Sequence, residues 1–132
     1  MAWAVRKSMM TGVVNVNGEA MLRVVVGNLA TQRIVVDAVI DTGYTGYLTL
    51  PPSTIAALNL PWRGSEEGVL GDGSTQTFDV YSATIIWDGE FRTIKINESD
   101  AGSLLGVGLL YGYEVCIQTI SNGTVTIKAL PR

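Results

Sequence analysis

Histidine is absent from this chain, and cysteine occurs once, at Cys116. Without histidine there is no Ser-His-Asp or Cys-His arrangement and no histidine-based zinc site. One cysteine cannot form a disulfide within the chain, so Cys116, inside EVCIQTI, reads as a small buried hydrophobe on a strand. Charge is scarce too. Nine Lys and Arg stand against 12 Asp and Glu, 16% of the residues, with a net charge of −3. There is no basic run and no basic patch with aromatics, so no nucleic-acid partner is expected. No apolar run reaches the roughly 18 residues of a membrane span, so no membrane association is expected. The start, MAWAVRKSMM, carries its positive charges after a short apolar piece, and no secretory apolar core follows. The expected setting is therefore cytoplasmic. Any catalysis falls to carboxylates, hydroxyls and backbone groups.

What is present is apolar and β-rich. The chain has 132 residues, 47% of them hydrophobic, and a single domain over 1–132 is expected. A chain of this size buries roughly two-thirds of its extended surface, enough for one core. Residues 13–26, VVNVNGEAMLRVVV, place β-forming runs on either side of Asn17-Gly18, a strong hairpin signal. Residues 33–40, RIVVDAVI, read as a third strand, apolar enough to be covered on both faces. In PPSTIAALNLP, residues 51–61, Pro52 fits a first helical turn, Ile55, Ala56 and Leu58 lie on one side, and Pro61 ends the segment. A short helix over 52–58 is expected, then a polar connector, RGSEEG, at 63–68.

Residues 69–87 read as a hairpin with Gly71-Asp72-Gly73 at its tip, and Asp88-Gly89 turns the chain into a strand at 91–96. A loop at 97–102 leads to SLLGVGLLYG, residues 103–112, with room for one helical turn. EVCIQTI and TVTIKAL pair around Ser121-Asn122-Gly123. Short strands with turns at this density predict an all-β fold, a compact barrel or sandwich.

Asp41 is the residue that demands a reason. It ends an apolar strand in VVDAVIDTGYTGYLTL, residues 35–50. A lone buried carboxylate is costly unless paired or protonated. Asp41-Thr42-Gly43 alone reads as a turn, as a metal ligand, or as half of a catalytic pair. Asp37, Asp79, Glu66, Glu67, Glu98 and Asp100 read as solvated turn or edge charges. No calcium-loop pattern occurs, so no metal is assigned and no cofactor is expected.

VIDTG at 39–43, GDG at 71–73 and LLG at 104–106 follow one another in an order that resembles the retropepsin-like aspartic proteases, single-domain relatives of pepsin. The resemblance spans roughly residues 33–112. It implies a small closed acid-protease-type β-barrel with one or two short helices, half of a pepsin-like bilobal enzyme. It also implies an aspartic endopeptidase acting on peptide or protein substrates as a homodimer, because this chain has only one Asp-Thr-Gly. Asp41 of each subunit would then form the pair. Two carboxylates about 3 Å apart repel by about 5 kcal/mol at an effective dielectric of about 20. They therefore share a proton, the known behaviour of aspartic-protease dyads.

By the same resemblance, the Thr42 hydroxyl would bond across the twofold axis. Gly43 would let the backbone turn tightly beside the aspartate, and Leu104, Leu105 and Gly106 would pack beneath the loop. Gly71, Asp72 and Gly73 would form the tip of a substrate-covering flap. Tyr44 stands where many family members carry a small residue and would narrow a pocket or act as a specificity wall. Val107 and Gly108 follow Gly106 where retroviral members carry a bracing arginine, which points to a cellular relative. A non-catalytic peptide-binding or dimerisation module on the same fold, and a plain structural barrel, are the alternative readings.

Overall fold

The computed structural model describes residues 9–28 and 32–131, so most of the MAWAVRKSMM start lies outside the described residues. Ten strands and two short helices follow in the order β1 (Met9–Val14), β2 (Ala20–Asn28), β3 (Gln32–Ile40), β4 (Leu48–Leu50), α1 (Pro52–Leu58), β5 (Trp62–Val69), β6 (Thr75–Trp87), β7 (Glu90–Glu98), β8 (Leu104–Leu105), α2 (Val107–Leu110), β9 (Tyr113–Ile117) and β10 (Thr124–Ala129). They form one sheet in the order β5-β6-β7-β4-β8-β3-β2-β1-β10-β9. A further pairing, β6 with β2 through Val25↔Ile86 and Val26↔Ile85, joins the sheet back on itself. The expected all-β fold with two short helices is the one observed. β2, β3, β8, β4, β7 and β6 thus ring a common core.

Local chemistry explains the turns. Asn15 Oδ1 accepts from the amides of Asn17 at 3.0 Å and Glu19 at 2.9 Å, and Gly18 takes φ +80°, which closes the β1–β2 turn. Helix α1 begins with Pro in its first turn and ends at Asn59, whose left-handed φ of 51° lets Leu60 N–H reach the Ile55 carbonyl. The helix spans the expected residues, but Asn59 rather than Pro61 stops it. Ile55 and Leu58 are buried, while Ala56 faces out.

Three expectations are corrected. RGSEEG is no connector: it lies within β5, which pairs with β6 from Trp62↔Tyr81 to Val69↔Thr75. The hairpin tip falls where expected, but its first arm is this polar stretch. Its residues face solvent almost throughout, so main-chain pairing with β6, not burial, makes it a strand. β3 is covered on one face only: Val36 and Ala38 are buried, while Val35 is 61% exposed. Cys116 is exposed, because β9 ends the strand order and turns that position outward.

The core joins β2 (Leu22, Val24, Val26), β4 (Leu48, Leu50), α1 (Ile55, Leu58), β6 (Ile85), β7 (Ile96), β8 (Leu105) and Leu109 of α2. Among the described residues no helix is long and apolar enough to cross a membrane. Leu105 is fully buried and pairs with Ile40, the last residue of β3. Leu105→Ala is expected to cost about 3 kcal/mol, the usual range for such a cavity, measured as a lower urea midpoint with unchanged slope.

Candidate active site

β3 delivers Asp41 to the surface. β3 pairs in parallel with β8 through Val39↔Leu104 and Ile40↔Leu105, and Asp41 N–H donates to the Leu105 carbonyl at 2.9 Å. One residue further, the chain folds back. Gly43 N–H donates to Asp41 Oδ1 at 2.9 Å, and Tyr44 N–H donates to the Asp41 carbonyl at 3.2 Å. Asp41 is half-buried, while Thr42 and Gly43 are exposed. Gly43 has no positive φ. Its small size matters for approach instead: a Cβ there would lie 3.3 Å from Asp41 Oδ1.

The loop after Gly43 rests on the turn that opens α2. Gly106 N–H donates to the Tyr47 carbonyl, Val107 N–H to that of Tyr44, and Gly108 N–H to that of Gly46, each at 2.9 Å. A Cβ on Gly106 would sit 2.3 Å from the Gly46 oxygen, and one on Gly108 would sit 2.8 Å from it. Only glycine allows this approach. Leu104, Leu105 and Gly106 thus lie beneath the Asp41 loop. Thr49 locks the arrangement from the side, its hydroxyl donating to the Gly102 carbonyl at 2.9 Å and accepting Leu104 N–H at 2.7 Å. It is the only buried polar side chain among the described residues, and nothing local in LTLPP announces that role.

Gly71, Asp72 and Gly73 form the exposed tip of the β5–β6 hairpin. Leu70 N–H donates to the Ser74 carbonyl at 2.7 Å and Gly73 takes φ +85°. Asp72 Oδ1 accepts from Ser74 N–H at 2.9 Å and from its hydroxyl at 2.6 Å, which holds this exposed carboxyl below the usual range. The Asp72 carboxylate is therefore engaged in its own turn. Between the hairpin and the body lies an open cleft of about 470 Å³, bordered by Tyr44, Glu66, Phe78, Asp79, Asn97 and Asp100, among others. Tyr44 borders the cleft; the hairpin-tip residues and Asp41 do not.

Side chains spaced far apart in sequence meet at this cleft. The Tyr44 hydroxyl donates to Asn97 Oδ1 at 2.5 Å, Asn97 Nδ2 donates to Glu66 Oε1 at 3.4 Å, and Lys95 Nζ donates to Glu66 Oε2 at 2.6 Å. Burial, and then the Glu66 charge, push the Tyr44 phenol up to about 12. The Lys95 hydrogen bond, against a smaller opposing effect of burial, holds the Glu66 carboxyl below its ordinary value. Glu66 is thus more than a solvated edge charge. Asn97 and Lys95 carried no motif and were not singled out in the sequence. Among the described residues no group of three or more Cys, Asp or Glu is arranged to hold a metal ion.

The fold sets an aspartate loop just after β3, which pairs in parallel with β8, and carries a glycine-tipped hairpin of β5 and β6. Two solved structures share that fold. A retropepsin-like aspartic protease from Rickettsia conorii superposes with a TM-score of 0.62 at 16% identity, covering 100% of this chain and 99% of its own. EIAV protease, complexed with the inhibitor HBY-793, superposes with a TM-score of 0.52 at 15% identity, covering 83% of this chain and 91% of its own. No protein-family model matches the sequence, and no curated protein matches it. The chain has the retropepsin-like fold.

Two outcomes are expected. Gly106→Ala forces the Asp41 loop off its support and should lower stability by about 1–3 kcal/mol, the usual cost of overpacking, read by chemical denaturation. The Glu66–Lys95 pair acts through a depressed carboxyl, so its stabilisation is full above the ordinary value of 4.5 and is lost as pH falls through the lowered one. The two side chains are 47% and 42% exposed, so solvent screening keeps the effect small. Glu66→Gln should flatten the acid side of a urea-midpoint curve measured against pH.

Proposed function

We propose that this chain is an aspartic endopeptidase that works as a homodimer, with Asp41 from each subunit forming the catalytic pair. The observation that carries the reading is the placement of Asp41-Thr42-Gly43: it directly follows β3, hangs from Leu105 of β8, and sits in a retropepsin-like fold. The sequence has a single Asp-Thr-Gly; Asp72-Gly73-Ser74 has the wrong order. On this reading the second carboxylate comes from a second copy, and a closed twofold pair is the commonest way for two copies to meet. Exposure of Thr42 and Gly43 leaves the loop open to that contact.

In the pair, one Asp41 is ionised and the other holds the shared proton. The ionised carboxylate takes a proton from a water molecule between them as that water attacks the peptide carbonyl carbon. The protonated carboxyl donates to the carbonyl oxygen, and no covalent intermediate forms. The β5–β6 hairpin acts as the flap that covers an extended peptide and excludes water. That peptide binds as an added strand through main-chain hydrogen bonds, with Tyr44 as one wall.

The test is cleavage of an unstructured protein from acidic to neutral pH, together with the mass of the particle in solution. Asp41→Asn should remain folded and dimeric yet lose at least about a hundredfold in rate. A strictly monomeric wild type, or equal cleavage by wild type and variant, sinks the reading. A wild type that binds extended peptides but cleaves none would be a peptide-binding module instead.

A further inference from the structure

The Tyr44–Asn97–Glu66–Lys95 chain crosses a gap that the sheet alone would leave open. β6 lies between β5 and β7, with Glu66 opposite Phe78 on one side and Asn97 opposite Val80 on the other. Strands two apart in a flat sheet are separated by roughly 10 Å. Here the side chains of Glu66 and Lys95 meet at 2.6 Å and those of Glu66 and Asn97 at 3.4 Å, so the hairpin curls over β7. The bend has an identifiable base. The β5–β6 register shifts between Trp62 and Gly64, and Gly64 takes φ +122°, a backbone state that favours glycine.

Glu66 lies two residues beyond that bend. The Trp62 indole and the Ser65 hydroxyl both donate within the hairpin, to Asp79 Oδ1. The side-chain hydrogen bonds of Glu66 leave it for β7. Among the described residues, β6 is also the only strand that pairs with β5. The far end of the chain is Tyr44, three residues after Asp41 and hydrogen-bonded through its own backbone to the Asp41 carbonyl.

We propose that Tyr44, Asn97, Glu66 and Lys95 form a brace that fixes how far the β5–β6 hairpin curls over the cleft, with Tyr44 as a positioning residue tying it to the Asp41 loop. The Tyr44 phenol, held far above neutral pH by burial and by the Glu66 charge, stays a donor throughout the working range. Asn97 suits the middle position because its amide accepts from Tyr44 and donates to Glu66 at once. The brace therefore sets the height of the cleft beside Tyr44. For substrate it rests on the peptidase reading; as a mechanical link it does not.

The test is a distance measurement between spin labels at Thr75→Cys and Thr124→Cys, in a Cys116→Ser background, with labelled chain diluted into excess unlabelled chain. The wild-type brace should give one narrow distribution. Asn97→Asp sets a carboxylate against Glu66 and should raise a long-distance component about fivefold, the worth of one hydrogen bond. Adding Glu66→Gln to Asn97→Asp supplies an amide donor to the new carboxylate and should return the distribution to near that of wild type. Tyr44→Phe, which removes a single hydroxyl, should shift it the same way as Asn97→Asp. Should Asn97→Asp fail to fold, Tyr44→Phe decides alone. Unchanged distances in the folded variants, or no rescue in the double variant, overturn the brace. In a peptidase assay Asn97→Asp should raise KM more than it lowers kcat. A chain that cleaves nothing sinks the peptidase reading, while the distances still decide the brace.

Discussion

The contact on which the candidate site depends is made of main chain. Asp41 hangs from Leu105, and the carbonyls of Tyr44, Gly46 and Tyr47 accept from Val107, Gly108 and Gly106. Side chains contribute little here except by being absent: glycine at 106 and 108 lets two backbone segments lie against each other. Backbone hydrogen bonds at such short range hold position without relying on rotamers. Thr49 closes the same layer from the side with its buried hydroxyl. The aspartate is thereby presented just past a strand whose partner Leu105, itself paired with Leu48, is fully buried.

Away from this layer the structure loosens by degrees. The β5–β6 hairpin has few buried side chains in its outer half, and its tip holds itself together with its own Asx turn. Elements with exposed hydrogen bonds and little apolar burial open at the lowest free energy. The candidate site thus pairs a buried floor with an exposed hairpin. The polar links at Glu66 join the two, and they do so with charges that remain partly solvated.

Most turns were legible in the sequence because their chemistry is local. Asn17-Gly18, Asp88-Gly89 and the Pro52 start of α1 each announce themselves within four residues. The Asp41 loop and its LLG support were legible only as a joint pattern, since Asp-Thr-Gly alone is an ordinary turn. The misses share a cause. RGSEEG has the composition of a loop, and only its pairing with β6 makes it a strand. The exposure of Val35 and Cys116 follows from which strands flank theirs, which composition does not encode. Asn97 meets Tyr44 across 53 positions of sequence, and such a pair leaves no periodic trace. Thr49 was hidden for the same reason.

The strand order also governs when the fold can form. β1 pairs with β10 along its length, from Met9↔Lys128 to Val13↔Thr124, and touches β2 through only two residue pairs. β2 in turn meets β6 through Val25↔Ile86 and its neighbours. Contacts this distant along the chain form late, because ordering the intervening residues comes first. On a ribosome, β1 would leave the exit tunnel long before its main partner is made. Until then its edge stays open to other chains. A topology of this kind favours slow maturation and gives holding chaperones a defined segment to shield.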